Sequence, residues 1–278
     1  RHPKLGPVEA ASPGIYLAGA AQAPKDVLDS SAQALAAAGK SGVLLSRDTV
    51  DKEPLTAQIN GDNCTGCWLC ERVCPYGAIE MLLPSGEPAP PPRKGAPRGI
   101  ADVVAAACEG CGLCAAACNF DAIDMPYFTD EQIMAQIDAA LASEPEQKVI
   151  VFACNWCSYA GADQAGIEKR QYPPSGRIIR TMCSGRLSEP FIERAFEKNA
   201  GAVLITGCRI GDCHYINANE HTEKRFKNWQ RKFARQGIAP ERLQLQWVSA
   251  AEGKEFAAKM VEMDEVVRSV QETTMVPA

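Results

Sequence analysis

No stretch of this 278-residue chain approaches the roughly 18 uninterrupted apolar residues that a membrane-spanning helix needs, so no membrane span is expected. Nor does the N-terminus run from positive charge through an apolar core to small residues, and no secretory signal is read there. An excess of positive charge is missing as well. The formal net charge of -5 argues against a nucleic-acid-binding surface as the main business of the chain. An initiator methionine is also absent: the chain opens at Arg1, in what reads as the middle of a domain, and a longer polypeptide is expected. Two things are plentiful. Hydrophobic residues make up 46%, enough for the cores of a soluble protein of about two domains. The thirteen cysteines, with no secretory context, fit an anaerobic or reducing cytoplasm better than a disulfide framework.

Eight of these cysteines fall into two copies of one spacing, Cys64-x-x-Cys67-x-x-Cys70-x-x-x-Cys74-Pro75 and Cys108-x-x-Cys111-x-x-Cys114-x-x-x-Cys118. The runs resemble those of two-cluster bacterial ferredoxins, in which three thiolates wrap one cubane and the fourth turns to the other. Crossed ligation is therefore expected, with Cys64, Cys67, Cys70 and Cys118 on one 4Fe-4S cluster and Cys108, Cys111, Cys114 and Cys74 on the other. Structural zinc is the competing reading. Zinc sites, however, pair C-x-x-C arms about a dozen residues or more apart and do not need such dense runs. Between the runs, residues 84–99 contain six prolines, which forbid a regular helix or central strand and imply an exposed loop. Residues 78–82 before it and 100–104 after it can form short strands. The second run ends Cys118-Asn119, without the usual proline; the turn there is less rigid, and the potential of the nearer cluster is expected to move.

Thr129-Asp-Glu-Gln132 is a capping box, and Ile133, Ile137 and Leu141 recur at helical spacing, so a linking helix is expected over 130–142. Beyond it, strands at 148–153, 177–182, 202–206 and 243–248 alternate with helices at 158–169, 188–199, 215–236 and 250–270. That alternation means a parallel sheet with helices on both faces. The other five cysteines sit where the loops leave the strands: Cys154 and Cys157 after the first, Cys183 after the second, Cys208 and Cys213 after the third. Loops at the carboxyl ends of parallel strands converge on one edge, so these five thiols should share a pocket. Residue type alone leaves four readings open: an iron-sulfur cluster, zinc, a redox-active Cys154-Asn-Trp-Cys157 dithiol, or buried structural cysteines.

Three segments narrow this. Phe152-Ala-Cys-Asn-Trp-Cys-Ser-Tyr-Ala-Gly-Ala-Asp163, Arg177-Ile-Ile-Arg-Thr-Met-Cys-Ser-Gly-Arg186 and Gly207-Cys-Arg-Ile-Gly-Asp-Cys-His-Tyr215 resemble the delta subunit of the methyl-viologen-reducing hydrogenase. The likeness runs over 148–270 and includes Leu245-Gln-Trp-Val-Ser-Ala-Ala-Glu-Gly253. It implies a 2Fe-2S cluster on four of Cys154, Cys157, Cys183, Cys208 and Cys213; strand-end geometry favours Cys154, Cys183 and Cys208 with one of the outer pair. Arg209 stands where many members of that family have histidine, and no ligand role is drawn from it. At the other end, His2-Pro-Lys-Leu-Gly-Pro-Val-Glu9 and Gly14-Ile-Tyr-Leu-Ala-Gly-Ala-Ala-Gln-Ala-Pro-Lys-Asp26 resemble the last stretch of the flavin domain of the heterodisulfide reductase A subunit. Read locally, 14–18 is a strand, Gly19-Ala20-Ala21 a tight turn, and a helix capped by Asp29 or Ser30 runs to Leu45. The resemblance implies that Gly19, Ala20, Ala21 and Gln22 approach an FAD in the full-length protein. No Gly-x-Gly-x-x-Gly is present, so residues 1–53 alone should not retain a flavin.

The expected architecture is an α+β two-cluster ferredoxin domain (54–128), a linker helix (129–145) and an α/β domain with a parallel sheet (146–278), after an N-terminal remnant of an FAD-binding domain (1–53). Smaller readings accompany it. His214 tunes a cluster or is a surface or helix-start histidine; Trp68 and Trp156 exclude water from the cluster loops. Lys224, Arg225, Lys227, Arg231, Lys232 and Arg235 either dock an acidic partner or form a solvated helix face with Glu220 and Glu223. The resemblances imply an electron-transfer part of a flavin-based complex of the kind that can bifurcate electrons. Its expected partners are hydrogenase or formate dehydrogenase subunits, heterodisulfide reductase B and C-like subunits, and ferredoxin. Quinone-linked sulfur metabolism, an aromatic-ring reductase, or a structural or sensory metal-binding module are the alternatives.

Overall fold

The computed structural model describes residues 6–10, 14–49 and 55–275, with side chains to 271. The chain folds as two compact units, residues 1–53 with 214–216 and residues 54–213 with 217–278. Residues 2–5 of the flavin-domain resemblance and the expected boundary at 53/54 lie outside the described residues.

In the first unit, helix α1 (Val27–Leu45) starts about one turn earlier than expected. Its cap is Asp26 rather than Asp29 or Ser30, because the Asp26 carboxylate accepts the Asp29 N–H at 2.7 Å and Asp29 falls in the first turn. Residues 14–18 do not form a strand. Tyr16 makes a single bridge to Glu9, with no neighbouring ladder to extend it. The small-residue turn is a 3-10 turn, Gly19–Ala21. The α1 helix buries none of its residues, so its helicity rests on the cap and on an alanine-rich sequence.

The second unit opens with a pseudo-symmetric α+β layer. Strand β1 (Gln58–Ile59) pairs antiparallel with β4 (Ile123–Asp124), and β2 (Ile79–Leu82) with β3 (Ile100–Val103), the two segments expected as strands. Each cysteine run ends in a short helix, α2 (Leu69–Val73) or α3 (Leu113–Ala117). The proline-rich segment between β2 and β3 has no regular element beyond the isolated Leu82–Pro88 bridge.

Helix α4 (Asp130–Ala140) begins with the expected reciprocal capping box of Thr129 and Gln132. After it the chain alternates: β5 (Val149–Cys154), α5 (Ser158–Ile167), β6 (Gly176–Thr181), α6 (Glu189–Glu197), β7 (Ala202–Gly207), α7 (Ala218–Arg235), β8 (Leu243–Trp247) and α8 (Gly253–Met275). All pairings are parallel, in the order β6-β5-β7-β8. Successive β5 residues face opposite ways, as the pleat requires. Ile150 and Phe152 join Ile133 and Ile137 of α4, Phe191 of α6 and Phe233 of α7 in one core. Val149 and Val151 join Phe256, Met260 and Met263 of α8 in the other. Helix α4 therefore connects the two parts while also covering the sheet. No helix of the described residues is long and apolar enough to cross a membrane.

One buried cation ties the α+β layer to the sheet. The Arg186 side chain is only 2% exposed; its guanidinium donates to the Phe128 carbonyl at 3.2 and 3.0 Å, to the Asp130 carboxylate, and lies 5.2 Å over the Phe191 ring. Removing the carboxylate leaves a buried charge short of a partner, with a half-exposed position through which water partly compensates. Asp130→Ala is expected to lower stability by about 2 kcal/mol in anaerobic thermal unfolding.

Candidate metal centres

In the α+β layer each cysteine run begins with the same backbone path. Gly66 and Gly110 have positive φ, and so do Trp68 (φ 67°) and Gly112 (φ 76°), the residues that start α2 and α3. These left-handed residues turn the loop so that successive thiols face one space. Cys64, Cys67, Cys70 and Cys118 line one small pocket together with Trp68 and Phe120. Among the neighbouring thiols, Cys111, Cys108 and Cys74 act on Cys114 most strongly, ahead of Cys70, and Cys74 and Cys108 act on Cys111 ahead of Cys213. The fourth cysteine of each run thus lies near the other run's first three.

The surroundings of these thiols suit sulfur bound to cationic iron. Burial pushes the Cys70 thiol up to about 11 and the Cys111 thiol up to about 12, so without a metal both hold their protons near neutral pH. Backbone donors favour the thiolate instead: Ala101 N–H to Cys64 Sγ and Ala57 N–H to Cys108 Sγ, both 3.5 Å, and Ala78 N–H to Cys74 Sγ at 3.3 Å. The first two bonds are equivalent in the repeat, each cysteine being served from the other half. Sequence reasoning missed these donors, since backbone N–H groups leave no residue-type signal. Among the described residues no three His, Cys, Asp or Glu side chains stand as ligands of one metal ion would. In a cubane each cysteine binds a different iron, and such convergence is not needed.

The five remaining cysteines meet at the carboxyl edge of the sheet, all buried. The β5 and β7 strands are neighbours whose following helices, α5 and α7, lie on opposite faces, which opens a crevice between their ends. Cys154 and Cys208 stand across it with sulfurs 3.7 Å apart. Hydrogen bonding links Cys154 to Cys183 and Cys208, Cys183 also to Cys213, and Cys208 also to Cys157 and Cys213. Contact with Cys183 and Cys208 holds the Cys154 thiol low, while the Cys183 and Cys208 thiols are pushed up. Gly185 N–H reaches Cys183 Sγ at 3.3 Å, and the Arg225 guanidinium donates to the Gly185 carbonyl at 2.7 Å. Burial lowers Arg225 to about 10, leaving it a cation near neutral pH. Arg225, expected on a solvated face, is thus turned inward, because α7 places it beside the Cys183 loop; the Glu223–Lys227 pair of that face is present at 4.0 Å.

The two cysteine regions share a wall. Trp156 packs on Cys154, Cys157 and Cys208 on one side and on the core of the α+β layer on the other, which also takes in Met182. Trp68 lines the first cavity, so both tryptophans lie where water exclusion was expected. His214 is buried rather than on the surface, and α7 starts four residues after it. Arg209 pairs with Glu252 at 2.6 Å. The residues expected to approach a flavin are partly engaged with their own unit: Gly19 N–H donates to Gln33 Oε1 at 2.9 Å, and the Gln22 amide bonds Pro7 and Gln33. Ala20 and Ala21 are exposed.

Residues 149–271 match the family described as methyl-viologen-reducing hydrogenase, delta subunit, and residues 63–122 match the 4Fe-4S dicluster domain. The A subunit of the ferredoxin:CoB-CoM heterodisulfide reductase of Methanosarcina mazei is 40% identical over 262 residues, 94% of this chain and 31% of that protein. The chain belongs to the heterodisulfide reductase A-subunit family, in a form joined to a hydrogenase delta-subunit domain. The corresponding A subunit from Methanosarcina acetivorans is 40% identical over 98% of the chain and 32% of its own length. The D iron-sulfur subunit of the F420-non-reducing hydrogenase of Archaeoglobus profundus is 40% identical over 47% of the chain and 95% of its own length. This chain spans about a third of the A subunits it matches.

Gly112 shows how closely the wall is fitted. A Cβ there would stand 2.5 Å from Arg186 Cδ, and the backbone is left-handed. Gly112→Ala is expected to cost about 1–2 kcal/mol from the backbone and more from the collision. The check is the unfolding midpoint together with iron retained at the second cysteine run.

Proposed function

We propose that this chain is the iron-sulfur electron-transfer part of a heterodisulfide reductase-type oxidoreductase, working between a hydrogenase or formate dehydrogenase partner and a flavin. Cys64, Cys67, Cys70 and Cys118 would hold one 4Fe-4S cluster, and Cys108, Cys111, Cys114 and Cys74 the other. Four of Cys154, Cys157, Cys183, Cys208 and Cys213 would hold a 2Fe-2S cluster. When bound, such clusters supply one-electron carriers at successive places in one polypeptide. Gly19, Ala20, Ala21 and Gln22 would approach FAD only within the longer protein. Heterodisulfide reductase B and C-like subunits and ferredoxin are the further partners, in the cytoplasm.

The observation that carries this reading is the shared wall: Cys111 and Cys213, from different cysteine sets, lie near enough to act on each other electrostatically. The chain's own part is to hold the sets close, to supply backbone N–H donors to sulfur, and to keep water out with Trp68 and Trp156. A sensor needs one metal site; several sets along one wall suit transfer.

Iron, zinc and acid-labile sulfide per chain test it on anaerobically purified protein, with about ten irons expected from two cubanes and a binuclear site. About eight irons with one zinc would retain the cubanes and make the five-cysteine region structural. Crossed ligation is tested separately: Cys118→Ser should alter the EPR signal that Cys64→Ser alters, and Cys74→Ser the signal that Cys108→Ser alters. The opposite pairing would overturn it.

A further inference from the structure

The phenol oxygen of Tyr76 is shielded from solvent and has no hydrogen-bond partner in the structure. Buried hydroxyls are rarely left so. Tyr76 stands two residues after Cys74, in the turn before β2, and both pack on the core that contains Cys64, Cys70, Cys108 and Cys114. The ionisable groups that act on it most are Cys111, then Glu109, Cys213 and Cys183. Its hydroxyl therefore lies in the wall between the two cysteine regions, nearest in effect to the second run. A phenol is protonated near neutral pH and can donate. The protein offers it no acceptor in reach, neither oxygen, nitrogen nor a cysteine sulfur, while thiols of both cysteine regions are among the nearest ionisable groups.

We propose that Tyr76 donates an O–H···S hydrogen bond to a sulfur of the cluster held by Cys74, Cys108, Cys111 and Cys114, and so acts as a positioning residue that sets the cluster's reduction potential. This rests on the reading of those cysteines as 4Fe-4S ligands. A donor to sulfur favours the more negative, reduced state, so the bond raises the potential. Phenylalanine would fill the same volume and leave the ring packing intact, which separates the hydroxyl's effect from that of the ring.

The test is EPR-monitored redox titration of the cluster-loaded protein beside its Tyr76→Phe variant, with iron per chain counted in both. Equal iron, a more negative midpoint for the cluster at Cys108, Cys111, Cys114 and Cys74, and an unmoved midpoint for the cluster at Cys64 are expected. Replacing Tyr76 by 3-fluorotyrosine, a stronger donor of nearly the same size, should move the same midpoint the other way. Should the phenylalanine variant fail to load, the fluorinated protein decides alone. Equal iron with unmoved midpoints overturns the hydrogen bond, assigns the hydroxyl an ordered water, and leaves the cluster reading standing. A native protein with no iron at the second run overturns the cluster reading and this proposal with it.

Discussion

A guanidinium sealed from water has to be met by acceptors on every side, and at Arg186 those acceptors come from outside its own domain. Its loop follows Cys183 directly, so the residue that closes the Cys183 loop is also the one that grips Phe128 and Asp130 at the exit of the α+β layer. The aliphatic stem of the same side chain lies against Gly112, inside the second cysteine run. Pulling the two regions apart would expose a charge and its stem together. The two cysteine regions are joined at that point as well as through Trp156, which packs on both.

Within that frame the sheet and the α+β layer meet different demands. In the layer, each half of the repeat lends a backbone donor to a thiol of the other half, and each lends its fourth cysteine. In the sheet, convergence comes from parallel strands that end level and from helices that leave on opposite faces. Thiols from three loops then sit on one another's sulfurs, buried, in an arrangement that is costly unless a cation replaces the protons.

The cysteine runs were legible because their constraint is local: loops that wrap a cubane need short fixed gaps, and gaps are what a sequence displays. Strand and helix alternation after residue 145 was legible for the same reason, with each β element found within a residue or two of its expected place. The strand expected at 14–18 failed because a strand exists only by pairing, and its pairing does not extend beyond one bridge. The cap of α1 was misplaced by three residues because Asp26 and Asp29 have equal claim on composition, and only reach to an N–H decides between them.

By itself, the sequence determined which cysteines belong to the ferredoxin-like runs, that a parallel sheet follows them, and that the last five cysteines leave its strand ends. Those properties depend on spacing and periodicity, which are written along the chain. Tertiary structure decided the rest: the inward turn of Arg225, the N–H donors at Cys64 and Cys108, the Arg186 lock across Gly112, and the unpartnered hydroxyl of Tyr76 beside Cys111 and Cys213. Each joins residues tens of positions apart through backbone atoms or burial, neither of which leaves a mark in residue type.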